Sequence, residues 1–530
     1  MLIPVGEVDQ YGVIKDVKPH LLPLNAWSDA KNVRFRDRKI VKLRGQKEIY
    51  EPPSVAPYWL MNIELGTGTN AWIYAGLQKV YVVSVATHTE ITRAAGNYAA
   101  TEDLLWNGGI LQGVPILNNG VDVPQSWAHP LSVANDLVNL ANWPADHRCR
   151  VIRPFKSYLF AMDMTEAGVR FKDRVRISHP ADPGSVPTSW DDTSPTTDAI
   201  KKTLTDQYQG KVVDGLGLGD VFVAYKDKST HIFQFIGGRF KWANREIFSA
   251  SGLLAKNCVA AFDEGRMHFV LTGEDVIVHN IQQRTSVIDK REMKWLNANL
   301  STSRFNRSFV VPNLHEGEVW AFLPLTGSEW PNLAMIWNKQ GNTITFRDVD
   351  LASYADLGIV DEDVSASDVW DNDTEVWDAD FTTWDQFTHP VFVRRITQAK
   401  PTATKIFHLE VTEQFNGTSF EAFVERSGIA AYGVDGRGNV ESDASMWKLV
   451  RSIYPRAKGG PIEVQLGTQD AVESPITWHP AEVFIPGQER PCVDFEAPAC
   501  RLWGVRFKTL EDTTWEVEGY DAEVEPLGRY

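Results

Sequence analysis

Two groups of carboxylates lie close enough in sequence to act together on a substrate. Asp191 and Asp192 follow Trp190, and Asp371, Asp373, Glu375, Asp378 and Asp380 crowd a stretch that also carries Trp370, Trp377 and Trp384. Paired acids beside an aromatic ring suit a glycoside hydrolase, one carboxyl protonating the leaving oxygen while the other acts as base or nucleophile. Acid-rich loops also bind Ca²⁺, but the glycine that an EF-hand loop needs at its sharp turn is missing. The three tryptophans are seven residues apart, which would place them on one helix face. Asp, Asn and Thr are weak helix formers, however, so a loop held down by buried indoles, its carboxylates in solvent, is expected.

Other catalytic signatures are absent. The chain has no His-Glu-x-x-His pair, no Walker-type phosphate loop and no Gly-x-Ser-x-Gly elbow. Gly215, Gly217 and Gly219 have the wrong spacing for a dinucleotide loop, and His315-Glu316 reads as an incidental turn pair. The four cysteines (Cys149, Cys258, Cys492, Cys500) are too few for a disulfide framework, and the spacing of the last two matches no common zinc pattern. Buried free thiols are expected. The residues thus predict no enzyme, no cofactor and no metal centre.

The secondary structure around these residues reads as β-strand. The chain has 530 residues, 43% of them hydrophobic and 23% charged, enough for a large core and too apolar for dominant disorder. Strand candidates recur at Trp72–Gly76, Ile110–Val114, Tyr158–Met162, Val221–Tyr225, His268–Thr272 and Val319–Leu323, their starts 38, 48, 63, 47 and 51 residues apart. Most have a companion within a short loop: Val80–Val83, Val175–Ser178, His231–Phe235, Val276–His279 and Met335–Trp337. Such runs of β-branched and aromatic residues, separated by Asn-Gly, Asp-Gly and Gly-Gly, read as paired strands. Recurrence at this length predicts an all-β chain with a β-propeller core of about six blades over residues 56–347. An irregular stack of sandwich sheets is the other arrangement that fits.

The flanking segments differ in composition. Residues 31–47 hold eight Lys or Arg and one acid, Asp37. Alternation there predicts a basic hairpin within an amino-terminal arm over residues 1–55, with Val33 and Phe35 inward on one strand and Val41 and Leu43 inward on the next. Arg38 at the turn lacks the glycine-like tolerance for positive φ, which suggests a loop longer than two residues. The hairpin is either a solvated edge or a docking arm for an acidic surface. Residues 348–395 form an acidic, Trp-rich insertion with thirteen Asp or Glu between Asp348 and Asp385 and no Lys or Arg between Arg347 and Arg394. Residues 396–530 read as a carboxy-terminal β-sandwich or barrel, ending in a strand pair at Thr514–Glu518 and Ala522–Val524. Ser132–Leu140 is the best short helix candidate.

Charge and hydropathy bound the function. With 69 acids against 53 Lys and Arg the net charge is −16, so the chain repels phosphate and is a poor candidate for sequence-reading DNA binding. It could still line a path along which DNA slides. Glu7 and Asp9 interrupt any signal peptide, and no apolar run approaches a membrane span, so a product of a reducing compartment is expected. The 19 tryptophans suit sheet packing, protein contacts or sugar stacking.

The segment Pro23-Leu-Asn-Ala-Trp-Ser-Asp-Ala-Lys-Asn-Val-Arg-Phe-Arg-Asp-Arg-Lys39 resembles the amino-terminal signature of the tail nozzle proteins of short-tailed bacteriophages. In that family a proline–asparagine–tryptophan segment leads into a basic hairpin, commonly with Asp-Gly at its turn; here Arg38 replaces the glycine. Asn142–Asp146, Ile177–Pro180, Gly219–Tyr225 with His231–Phe235, Trp503–Phe507 and Gly528–Tyr530 are similar to later parts of the pattern. The resemblance implies a β-propeller subunit of a homo-hexameric ring in the virion tail, assembled in the host cytoplasm below the portal and adaptor. The ring would contact fibre, spike or needle proteins, retain the viral double-stranded DNA and conduct it at ejection without reading its sequence. Under that reading Trp27, Arg34, Phe35, Arg36, Arg38 and Lys39 are the expected contacts to the adaptor or a neighbouring subunit. The acids Asp371, Asp373, Glu375, Asp378 and Asp380 are expected near the channel. A carbohydrate-binding tail adhesin and a propeller glycosidase remain alternatives.

Overall fold

The computed structural model describes residues 1–50, 52–84, 87–289, 291–361, 392–488 and 491–529. The acidic residues Asp371, Asp373, Glu375, Asp378 and Asp380 lie outside them.

Seven four-stranded antiparallel sheets follow one another around a β-propeller, one more than the repeat count predicts. Blade 1 comprises Trp59–Glu64, Asn70–Ala75, Val80–Ser84 and Thr87–Glu90, from the innermost strand A to the outermost strand D. Blades 2 to 6 repeat this order, with inner strands Asn107–Leu111, His147–Phe155, Val212–Leu218, Val259–Phe262 and Phe309–Asn313. Blade 7 is composite. Tyr354–Asp361, Phe392–Lys400 and Lys405–Leu409 supply its first three strands, and Gln46–Ile49, from before blade 1, supplies the fourth. The ring closes where the inner strand of blade 7 packs on that of blade 1.

The middle strands are buried on both faces because neighbouring blades cover them; Val221–Lys226 and Glu318–Leu323 are buried throughout. Blade-to-blade packing is aromatic in places, as where Phe160 of blade 3 stacks on Phe222 of blade 4 with ring centroids 3.9 Å apart.

The remaining strands form a β-sandwich of two six-stranded sheets, with a separate hairpin of Ala431–Val434 and Val440–Ser442, and the amino-terminal segment belongs to the sandwich. In one sheet Leu2–Val5 and the hairpin Val33–Arg36/Lys39–Lys42 flank the long strand Trp515–Gly528, which also pairs with Trp447–Gly459. In the other, Asp29–Lys31 pairs with Phe423–Ile429, followed by Leu502–Thr509 and Ile462–Gln469. Trp27 is fully buried between the sheets, 6.4 Å from the ring of Phe507 and 6.5 Å from that of Tyr520, and its indole N–H donates to Val8 O.

Four local expectations are corrected. The last two strand candidates are one continuous strand, Trp515–Gly528. Ser132–Leu140 is not helical; among the described residues the α-helix is Met293–Asn299. The hairpin turn has two residues, Asp37 at φ 53° and Arg38 at φ 63°, and the Arg38 N–H donates to Asp9 Oδ2 at 2.8 Å. Ile40, paired with Phe35, is the inward residue of the second hairpin strand, whereas Val41 is paired with Arg34 and only half-buried.

Candidate functional site

The basic hairpin is the junction between sandwich and propeller. Arg34 is 7% exposed and points away from the sandwich core, its Nε donating to Glu318 Oε1 at 2.5 Å and its Nη2 to Glu318 Oε2 at 2.9 Å and Glu410 Oε1 at 2.8 Å. Glu318 belongs to strand B of blade 6, and Glu410 follows strand C of blade 7. Arg36 pairs with Glu316 and Lys39 with Glu516. Burial raises the Glu318 carboxyl; burial acts the same way on Glu410, but Arg34 and Arg347 overcome it and hold that carboxyl down. A cavity of about 310 Å³ beside them is lined by Arg34, Arg36, Lys42, Glu316, Arg395 and Glu410.

This placement corrects the expected docking surface. Trp27, Arg34 and Phe35 are buried against the chain's own sheets, because alternation turns the apolar residues into the sandwich and the blade 6 carboxylates take up the charge. Arg36 and Lys39 are half-buried in ion pairs, and Arg38 alone of the six is exposed.

Asp191 and Asp192 are not brought together as an acid pair. Asp191 Oδ1 accepts from the backbone N–H and hydroxyl of Thr193, holding a turn, while Asp192 pairs with Arg176 at 2.9 Å. Trp190 is buried edge-on against Trp143 and offers no exposed face for a sugar.

The propeller axis carries a polar network that joins the blades. Asn62 in blade 1 accepts from Ile359 N in blade 7 at 3.1 Å, and Asn107 in blade 2 accepts from Ile152 N in blade 3 at 2.9 Å. Arg153 of blade 3 donates to both carboxylate oxygens of Asp214 in blade 4, at 2.8 and 2.7 Å, and to Gly108 O in blade 2. Asp214 also accepts from Asn257 N, just ahead of blade 5. Asp356 on the inner strand of blade 7 is pushed up to about 7 by burial, against its contacts with Asn62, Leu357 and Arg153.

A cavity of about 520 Å³ opens where the chain enters the inner strands. Its charged lining is Arg150, Arg170, Lys211, Lys256 and Arg307 against Asp103 and Asp163. Lys256 donates to Leu105 O and Arg307 to Glu102 Oε2 at 2.9 Å, so two cations from blades 5 and 6 hold the loop ahead of blade 2 across this end of the axis. Burial, with Arg153 and Arg150 nearby and despite Asp214, lowers the Lys256 ammonium to about 7. Asp163 is 3% exposed and accepts from Arg170 at 2.7 and 2.5 Å, with Arg150 at 3.9 Å.

Sequence reasoning missed this cavity. Its residues lie in and ahead of inner strands, where polar side chains facing the axis break the apolar runs. The faint signal is a Lys or Arg shortly before or within the inner strands of blades 3 to 6: Arg150, Lys211, Lys256 and Arg307.

No family model matches the chain, and no curated protein matches it. Among solved structures it is similar to PorZ, a surface component of the type-IX secretion system of Porphyromonas gingivalis, at 10% identity and TM-score 0.35 over 58% of this chain. The match spans 34% of the length of PorZ. It is similar to Hsv2 of Kluyveromyces lactis, at 10% identity and TM-score 0.30 over 53% of this chain and 82% of that one. It is also similar to a protein of Bacteroides fragilis described as a putative 6-phosphogluconolactonase, at 9% identity and TM-score 0.34 over 55% and 81%.

Proposed function

We propose that the chain is a structural subunit of a hexameric tail nozzle of a short-tailed bacteriophage, which extends the DNA channel, retains the genome and conducts it during ejection. The observation that carries this reading is the place of the segment resembling that family. Its Trp27, Asn32 and Arg34 are all buried, and they tie the sandwich together and fasten it to the propeller, which is the work of a scaffold signature. Of the acids that could have formed a pair, Asp191 holds the turn at Thr193 and Asp192 is engaged by Arg176, while Asp371, Asp373, Glu375, Asp378 and Asp380 lie outside the described residues.

The DNA path of such a ring lies between subunits. An axial cavity of about 520 Å³ is far too small for a duplex whose major groove alone is about 12 Å wide. The contact to the adaptor moves from the buried Arg34 and Phe35 to the exposed hairpin tip at Arg38. Net charge −16 keeps phosphate from sticking to the path.

The test is electron microscopy of the purified chain, alone and after addition to tail-less, DNA-filled heads. A six-fold ring with a central hole, or a new knob at one head vertex, is expected. Monomers that ignore the heads would overturn the proposal.

A further inference from the structure

The axial cavity holds a local excess of positive charge in an acidic chain: five cations and two carboxylates line it. Several of these charges are already spent. Arg307 is engaged by Glu102 and lies over the Trp330 ring, and Arg170 is engaged by Asp163. Arg153, behind the wall, is engaged by Asp214.

Three cations keep capacity. Among the described residues the Arg150 guanidinium makes no hydrogen bond and approaches only Asp163, at 3.9 Å. Lys256, its ammonium lowered to about 7 by burial, has no carboxylate within ion-pairing distance among the described residues, rests on the Leu105 carbonyl and gains its full charge as an anion enters. Lys211 is exposed at the cavity wall. They come from blade 3, the approach to blade 4 and the approach to blade 5, and all three line the one cavity.

We infer that this cavity binds a small phosphorylated molecule, its phosphate oxygens held by Arg150, Lys211 and Lys256. The volume lies in the range of small-molecule sites. A guanidinium fork and two ammonium groups arriving from different blades match the tetrahedral oxygens of a phosphate better than the planar pair of a carboxylate. Phe305, 38% exposed at the same wall, offers an apolar face for the rest of the molecule. Asp103 is exposed, and the buried Asp163 is already taken up by Arg170.

The test is isothermal titration calorimetry of the full chain at low salt with pyrophosphate, ADP and succinate. One-to-one binding of pyrophosphate is expected, at least roughly tenfold tighter than succinate and weakened at least tenfold by Arg150→Gln or Lys211→Glu. Arg451→Gln, on an exposed sandwich pair with Glu525, is expected to change nothing. Tighter binding of ADP than of pyrophosphate assigns the non-phosphate part to the Phe305 wall, and equal binding assigns recognition to the phosphates alone. Absence of pyrophosphate binding, or binding that survives both variants, overturns the inference. Lys211→Glu alters an exposed side chain, so it decides the matter even where Arg150→Gln fails to fold.

Discussion

Arg34 and Glu318 stand 284 residues apart in sequence and meet as a buried bidentate ion pair that fastens the sandwich to blade 6. Removing one partner of such a pair leaves the other charge uncompensated and costs about 3–5 kcal/mol. Arg34→Met is expected to lose stability in that range in urea denaturation. Adding Glu318→Leu is expected to restore part of it, limited because Glu410 also loses its partner. Equal losses in the single and double variants would remove the pair from this role. For the same reason the charge reversals Arg34→Glu and Arg36→Glu test folding rather than assembly, since they face Glu316, Glu318 and Glu410.

At the tip of the same hairpin Arg38 holds φ 63°, a conformation that costs an L-residue with a Cβ roughly 1–2 kcal/mol. Arg38→Gly keeps the N–H that donates to Asp9 and removes the side-chain clash. A gain of about 1 kcal/mol is expected, part of the relief being offset by the entropy of an unfolded glycine. The denaturation midpoint reads it, and a fall in the midpoint would show that the Arg38 side chain itself holds the turn.

The propeller was legible through its strands B and C. The six candidates that suggested blades fall on strand B of blades 1 to 6, apart from Ile110–Val114, which spans the turn between A and B of blade 2. The companions fall on strand C. These strands are covered on both faces and read as unbroken apolar runs. Strand A faces the axis with residues such as Asn62, Arg153 and Asp214, and strand D is edge-exposed, as in Ile200–Thr203, so both lose the pattern. Blade 7 breaks the pattern because its fourth strand precedes blade 1 and its third, Lys405–Leu409, falls within residues 396–530, which read as the carboxy-terminal domain. The hairpin was legible as a hairpin; its burial was not, because nothing local in the sequence says that Glu318 and Glu410 will meet Arg34.

Tyr225, His268 and His279 form a buried network whose neutral form uses every ring nitrogen. His268 Nε2 donates to Gly217 O at 2.8 Å and its Nδ1 accepts from the Tyr225 hydroxyl at 2.6 Å. The Tyr225 oxygen accepts from His279 Nε2 at 2.7 Å, and His279 Nδ1 accepts from Ile281 N. Burial lowers His268 to about 4, and burial together with His268 lowers His279 to about 3. Unfolded histidine titrates near pH 6.5, so below that pH the unfolded state binds more protons and stability falls. Each histidine contributes about 1.4 kcal/mol per pH unit between roughly pH 6.5 and its folded value. Melting temperatures are expected to drop between pH 7 and pH 5, and less steeply in His279→Phe. An identical slope in that variant would place the titration elsewhere, at His231 or His408, which burial also lowers.

Ring closure depends on the absence of a side chain at position 358. A Cβ built on Gly358, in the inner strand of blade 7, would stand 2.4 Å from Trp72 Cζ2 and 2.6 Å from Asn62 Cβ in blade 1. Trp72 is 1% exposed, so the indole has little room to yield. Overpacking a closed core in this way costs typically about 1–3 kcal/mol, and Gly358→Ala is expected to lose that amount. Trp72→Phe shortens the ring that meets the new methyl group. The double variant is therefore expected to be more stable than the sum of the two single losses predicts, with the remaining deficit set by Asn62. A double-mutant cycle measured by urea denaturation reads the coupling. Strict additivity would mean that blade 7 moves away from blade 1 instead of pressing against it, and that the seam between them is looser than the Asn62–Ile359 hydrogen bond implies.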